Sequence, residues 1–176
     1  MGSPEYVAYH DDEWGRPLHG DRELFEMLTL ESFQSGLSWL TILRKRDNFR
    51  RAFDEWEIAA IAAYRDPDVA RLMSDEGIVR NRAKIDAAIA NARAVEELRR
   101  DGTSLDELLW SFAPEPGPAP RSAEDMTPTT PESVAMAREL KRLGFRFLGP
   151  TTAYSLMQAA GLVNDHLAGC AFRDRR

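Results

Sequence analysis

The 176 residues and a hydrophobic fraction of 43% suffice for one domain with a real core. No apolar run approaches the roughly 20 residues that cross a bilayer, and no charged-then-apolar leader opens the chain, so a cytoplasmic protein without a membrane partner is expected. The lone cysteine, Cys170, excludes an internal disulfide, and the net charge of −6 argues mildly against a nucleic-acid binder.

That charge is segregated. The first thirty residues carry Glu5, Asp11, Asp12, Glu13, Asp21, Glu23 and Glu26. Basic residues gather later, at Arg44, Lys45, Arg46, Arg50 and Arg51, at Arg80, Arg82 and Lys84, and at Arg138, Lys141, Arg142 and Arg146. These clusters either converge on one face or are ordinary solvated helix surfaces.

Helical spacing dominates the chain. Asp21 is placed to cap a helix in which Leu24, Phe25, Leu28 and Phe33 recur with helical period, and Gly36 is placed to end it. Ser38 caps a second helix that ends near Arg44-Lys45-Arg46, and Asp47 starts a short continuation through Phe49 and Phe53. Ile58 and Ile61 fit a short helix, and Asp66-Pro67 reads as cap and first residue of another that stops at Gly77. A long helix runs from about 80 to 100 until Asp101-Gly102 stops it, and Thr103 or Ser104 caps the next. Residues 113–131 are rich in proline and small residues and form a long surface loop. A helix, a glycine hairpin at 144–149 and a second helix fill 133–160, followed by an irregular tail to Cys170 and the basic end Arg173-Asp174-Arg175-Arg176. No stretch alternates with period two, so the fold class is all-α.

Three features carry chemistry. Glu31 is a single acid in an apolar or small-residue run, followed by Gly36 and Trp39. It either faces water from the helix edge or lines a pocket for a flat, electron-poor ligand. The hairpin at Gly144–Gly149 feeds a helix N-terminus at Thr151 and Thr152, a geometry that holds a phosphate through backbone N–H groups, with Arg142 and Arg146 as further donors. A plain helix pair with a glycine turn gives the same pattern. Third, His166 and Cys170 stand at His-x3-Cys spacing, which suits a metal but offers only one thiolate. Tyr6, Tyr9 and Trp14 sit early and either line a pocket or plug the end of a helical core.

Taken together these stretches resemble the 3-methyladenine DNA glycosylase I family of helix-hairpin-helix base-excision enzymes. The matching residues run collinearly: Tyr6-Val7-Ala8-Tyr9-His10-Asp11-Asp12-Glu13-Trp14-Gly15, Leu24-Phe25-Glu26-Met27, Leu30-Glu31 and Gly36-Leu37-Ser38-Trp39. They continue through Gly77 to Ile85, Trp110-Ser111-Phe112, Gly144 to Gly149 and Gly161 to His166. The resemblance implies one helix-hairpin-helix glycosylase domain over residues 1–176. It implies a monomer that flips cationic 3-methyladenine out of alkylated double-stranded DNA, cuts its N-glycosidic bond and releases the free base.

By the same resemblance Glu31 reads the base and, with Tyr9, serves the excision. Trp39 stacks on the base, and Trp14 and Tyr6 are further aromatic positions. The backbone grip falls on Gly144, Arg146, Gly149, Thr151 and Thr152. Leu37, in the turn after the Glu31 helix, is a candidate wedge into the stack or a packing residue. Related glycosylases place an aspartate shortly after the hairpin; here the register gives Asn164, which cannot act as a base, beside Asp165. The family closes a zinc site from His10, His166, Cys170 and a cysteine ahead of the Tyr6 region, where a tryptophan also stands. This sequence has neither residue before Tyr6, so zinc is expected on three protein ligands or not at all. A damage-sensing protein without activity, or a glycosylase of shifted lesion preference, fits the same motifs.

Overall fold

Ser3 caps α1 (Pro4–Asp12), its hydroxyl accepting from the Tyr6 amide at 3.3 Å. The computed structural model describes residues 3–174, so Arg175 and Arg176 of the basic tail lie outside the described residues. α2 (Asp21–Gln34) is the central helix, packed against four others on different sides. Leu24, Phe25, Leu28, Leu30 and Phe33 are all fully buried, and only Arg22 and Glu23 in the first turn are exposed, as expected of a helix enclosed beyond its first turn. The cap assignment differs by one position: Asp21 is the first helical residue, behind Gly20. Its carboxylate instead receives the Asp106 amide at 3.0 Å and Arg99 Nε at 2.8 Å.

Ser38 caps α3 (Trp39–Ala52) through the Thr41 amide. The break expected at Asp47 does not occur. Asp47 is exposed and pairs with Arg50, while Ile42 and Phe49 keep one continuous face in the core. α4 (Ile58–Ala62) and α5 (Asp66–Ser74) follow, with Arg65 rather than Asp66 in the cap position because Asp68 accepts the Arg65 amide at 2.9 Å. Asn81 caps α6 (Arg82–Arg100), which packs along α4 and also touches α2, α5 and α7. Ser104 and Glu107 form a capping box on α7 (Leu105–Trp110). The proline-rich stretch is irregular except for one tight turn at Ala123–Asp125. Thr130 then caps α8 (Pro131–Arg142), and the turn through Gly144 returns the chain as α9 (Pro150–Ala159), packed on α8. Among the described residues there are helices and turns and no strand, as the periodicity indicates.

The segregated charges largely neutralise one another. Arg44 pairs with Glu5, Arg46 with Glu13 and Arg50 with Glu26, so the first basic cluster is folded back onto the acidic N-terminal third. Lys45 is also committed, donating to the carbonyls of Glu76 and Gly77. This cluster is therefore largely neutralised within the fold.

Candidate active site

Glu31 is 6% exposed and points from α2 into a pocket of about 350 Å³. Tyr6, Tyr9, His10 and Trp14 line it from α1 and the turn after it, Glu31 and Gln34 from α2, and Trp39 from the first turn of α3. α9 closes the other side with Ser155 and Gln158. The five base-pocket residues named by sequence, Glu31, Tyr9, Trp39, Trp14 and Tyr6, are thus brought together although they span 34 positions of chain. Gln34, Ser155 and Gln158 were missed. Gln34 lies three residues beyond Glu31 on the same helix face, and Ser155 and Gln158 repeat that spacing on α9, so helical periodicity was the available signal.

The acid has no hydrogen-bond or ion-pair partner among the described residues, and burial pushes its pKa up to about 8. A carboxyl held this way stays largely protonated near neutral pH until a cation or a donor enters. Tyr9 is 5% exposed, and burial together with the Glu31 charge raises its phenol far above the ordinary value, so it remains a neutral donor. Its ring lies 5.3 Å from the Trp39 ring at a 50° tilt. The Trp39 Nε1 is buried without an acceptor among the described residues, a polar edge left over beside the pocket. The site joins aromatic faces to one unpaired acid, an arrangement suited to a flat cation that also donates hydrogen bonds.

Leu37 is not part of the pocket wall. It is 39% exposed at the apex of the turn between α2 and α3, where Gly36 adopts φ +82°. Gln34 braces that turn, its amide donating to the Leu37 carbonyl at 3.0 Å while Leu37 N donates back to the Gln34 carbonyl at 2.7 Å. Core packing is therefore not what places Leu37.

The hairpin has the geometry of a phosphate cradle. Gly144 takes φ +90° to turn the chain, and no side chain caps α9, leaving the amides of its first turn beside exposed Thr151 and half-buried Thr152. Gly149 offers open space where a Cβ would stand. Arg146 makes no side-chain hydrogen bond among the described residues. Arg142, by contrast, is held by Glu139 at 2.6 and 2.8 Å and is the poorer donor for a ligand. Phe147 is 46% exposed in a left-handed conformation at φ +58°.

Asn164 is turned away from the pocket. Its amide donates to the Arg173 carbonyl and its oxygen meets His166 Nδ1 at 3.0 Å, so it organises the tail. Asp165 receives Tyr154 Oη at 2.5 Å and Gln158 Nε2 at 2.8 Å, behind the pocket wall.

His10, His166 and Cys170 converge: their ligand atoms lie within 4.8 Å of one another, with His10 Nε2 3.8 Å from Cys170 Sγ. Tetrahedral zinc at ordinary bond lengths sets a nitrogen and a sulfur ligand about 3.6 Å apart. The two imidazoles also have oxygen partners on Nδ1, from Asp11 at 2.8 Å and Asn164 at 3.0 Å. Such partners put the proton on Nδ1 and the lone pair on Nε2, the tautomer a zinc ligand needs. Gly15, at φ +73°, makes room for this cluster, since a Cβ there would stand 2.8 Å from His166 Cε1. The three residues fit a zinc ion that keeps one position for another ligand.

Comparison with known proteins agrees with this geometry. A family model described as methyladenine glycosylase matches residues 1–174. The chain is 46% identical to DNA-3-methyladenine glycosylase 1 of Escherichia coli over 95% of its length and 90% of that protein's. It is 40% identical to DNA-3-methyladenine glycosylase of Haemophilus influenzae over 94% and 90% of the two chains. Its fold superposes with a TM-score of 0.95 and 35% identity on 3-methyladenine DNA glycosylase I from Staphylococcus aureus, covering 100% of this chain and 95% of that one. A family match across nearly the whole chain, together with two relatives at this level of identity, places it: this protein belongs to the methyladenine glycosylase family.

Proposed function

We infer that this chain is a DNA repair hydrolase that excises 3-methyladenine from alkylated double-stranded DNA. The observation that carries the reading is the buried acid without a partner at the floor of an aromatic pocket. 3-Methyladenine in DNA is a cationic, electron-poor ring with an exocyclic amine. Its entry supplies Glu31 with both a donor and an opposite charge, which draws the carboxyl back to its ionised form. Trp39 and Tyr9 offer π faces to the cation, and Tyr6 and Trp14 complete the wall. An undamaged adenine is neutral, so it gains no charge pairing to offset the desolvation of the acid.

The chemistry asks little of a general acid. The cationic base leaves as a neutral molecule when the bond from its ring nitrogen to the sugar breaks, so no proton has to be delivered to it. Water supplies the hydroxyl at the sugar carbon and releases its other proton to solvent, which carries off the positive charge the base sheds, and Glu31, with Tyr9 beside it, holds the base in the flipped position. This accounts for a chain whose post-hairpin residue is Asn164 rather than an acid. Leu37 fills the gap that the extruded nucleotide leaves in the stack. The backbone is gripped by Gly144, Arg146, Gly149, Thr151 and Thr152. His10, His166 and Cys170 hold a zinc ion whose part is structural, joining α1 to the tail. The protein works as a monomer in the cytoplasm, on alkylated duplex DNA, releasing free 3-methyladenine.

Incubation of the purified protein with methylated duplex DNA, followed by chromatography of the released bases, tests this reading. Release of 3-methyladenine, and its reduction by about two orders of magnitude in Glu31→Gln, is the expected result. Tight binding to methylated DNA without any released base would leave only a damage sensor.

A further inference from the structure

Two buried polar residues on α6 belong neither to the pocket nor to the hydrophobic core. Lys84 is 7% exposed and Asn91 is 1% exposed. Lys84 Nζ donates to the carbonyls of Phe33 at 2.8 Å and Ser35 at 2.6 Å. It thereby caps the C-terminal end of α2, where the turn carrying Leu37 begins, with the cation that end of a helix dipole favours. Asn91 closes a two-way pair with the hairpin: its Oδ1 accepts the Arg146 amide at 2.7 Å and its Nδ2 donates to the Arg146 carbonyl at 3.2 Å. Each is a costly group to bury, and each is committed to backbone of a loop at least 49 residues away in sequence.

Their spacing on the helix is informative. Positions seven apart return to nearly the same face after two turns, separated by about 10 Å along the axis. One face of α6 therefore holds the Leu37 turn at one point and the phosphate cradle two turns further on. A DNA strand is itself a fixed ruler, with one phosphate per about 3.4 Å of rise. A wedge and a grip that act on one duplex must be held at a matching separation, and loops alone do not supply it.

We propose that Lys84 and Asn91 are positioning residues that make α6 a spacer, fixing the Leu37 turn and the Arg146 hairpin at the separation a distorted DNA duplex requires. The inference rests on the reading of this chain as an enzyme of duplex DNA. It assigns a duplex-specific role to two side chains that touch neither the base nor the reacting atoms. Neither side chain lines the pocket built from α1, α2, α3 and α9.

Lys84→Met, Asn91→Asp and the double variant test this. Asn91→Asp keeps the acceptor for the Arg146 amide but sets a buried carboxylate oxygen against the Arg146 carbonyl, so it breaks the hairpin end of the pair decisively. Three quantities are measured: affinity for free 3-methyladenine, affinity for a duplex bearing an abasic-site analogue, and thermal unfolding. Each single variant is expected to bind the abasic duplex about ten-fold more weakly, since small misplacements of this kind carry losses of that order or larger. Free-base affinity stays within about two-fold. The double variant binds duplex about as well as the weaker single one, because a spacer released at one end no longer sets a distance, whereas its losses in stability add.

Multiplying losses in duplex affinity would overturn the proposal, as would a parallel fall in free-base affinity; the two side chains would then be independent packing elements. Wild-type protein that binds the abasic duplex, with variants that bind it equally, removes the spacer and leaves the glycosylase reading standing. Wild-type protein that binds neither abasic nor methylated duplex removes both.

Discussion

Arg46 reaches from α3 to Glu13, beyond α1, with two guanidinium nitrogens on the two carboxylate oxygens, at 2.5 and 2.8 Å. With Arg44–Glu5 and Arg50–Glu26 it locks the first basic cluster onto the acidic N-terminal segment. The pairing decides which arginines remain for DNA. Arg46→Ala is expected to leave the salt dependence of duplex binding unchanged while Arg146→Ala flattens it by about one unit of slope, the share of a single phosphate contact. Titrations from low to moderate salt measure it, and equal slopes for wild type and Arg146→Ala would remove Arg146 from the backbone contact.

The buried acid makes stability depend on pH in a definite direction. Burial raises the Glu31 pKa from 4.5 to about 8, so the folded protein holds this proton more tightly than the unfolded chain does. The resulting stabilisation is full below pH 4.5 and is lost as pH rises through about 8. Glu31→Gln keeps the shape and cannot ionise. It is expected to match wild type near pH 4.5 and to exceed it by roughly 2–4 kcal/mol at pH 9, within the limit that about 1.4 kcal/mol per pKa unit sets. Urea unfolding at a series of pH values reads this directly, and parallel curves for the two proteins would mean that Glu31 is solvated in solution. The substitution that disables the site would then also be the one that stabilises the fold, the usual trade at a pre-organised site.

How much of this was legible before the fold is clearest at individual positions. Ser38 and Gly36 mark the ends of α3 and α2 because capping and left-handed turns are local chemistry, readable within four residues. Asp47 misleads for the same reason: it is a good cap by type, but the buried face of Ile42 and Phe49 carries the helix through. The burial of Glu31 is not local. It comes from α9 and the aromatic residues of α1 closing over α2, and nothing within the sequence of α2 distinguishes it from a surface acid. Collinear family motifs supplied that information instead. Lys84 looked like one more member of a basic cluster, since its acceptors lie 49 and 51 residues away. The neutralisation of Arg44, Arg46 and Arg50 was hidden likewise, because segregated charge says nothing about which segments meet.

Zinc on His10, His166 and Cys170 predicts a metal-dependent stability. Protein purified without chelator is expected to carry about one zinc per chain by elemental analysis. At a free concentration 100-fold above Kd a ligand adds about 2.7 kcal/mol. At roughly 2–4 °C per kcal/mol for a chain of this length, stripping the metal lowers Tm by about 5–10 °C. Cys170→Ser should abolish both the zinc and the chelator effect. A chelated wild type that melts at the same temperature as the untreated protein would leave the three side chains as an ordinary polar cluster.

Leu37 separates the wedge from the pocket. It stands 39% exposed on a turn braced by Gln34 and adds nothing to the core, so Leu37→Ala is expected to shift folding stability by no more than about 0.5 kcal/mol. Free 3-methyladenine should bind the variant as it binds wild type, because Glu31, Tyr9 and Trp39 are untouched. Excision from duplex should fall by about ten-fold or more, since the flipped state loses the side chain that fills its gap and unstacking costs a few kcal/mol. The same variant acting on a methylated single strand, where no stacked partner has to be replaced, should lose far less. Equal losses on single- and double-stranded substrate would assign Leu37 to base binding; no loss on either would return it to the surface.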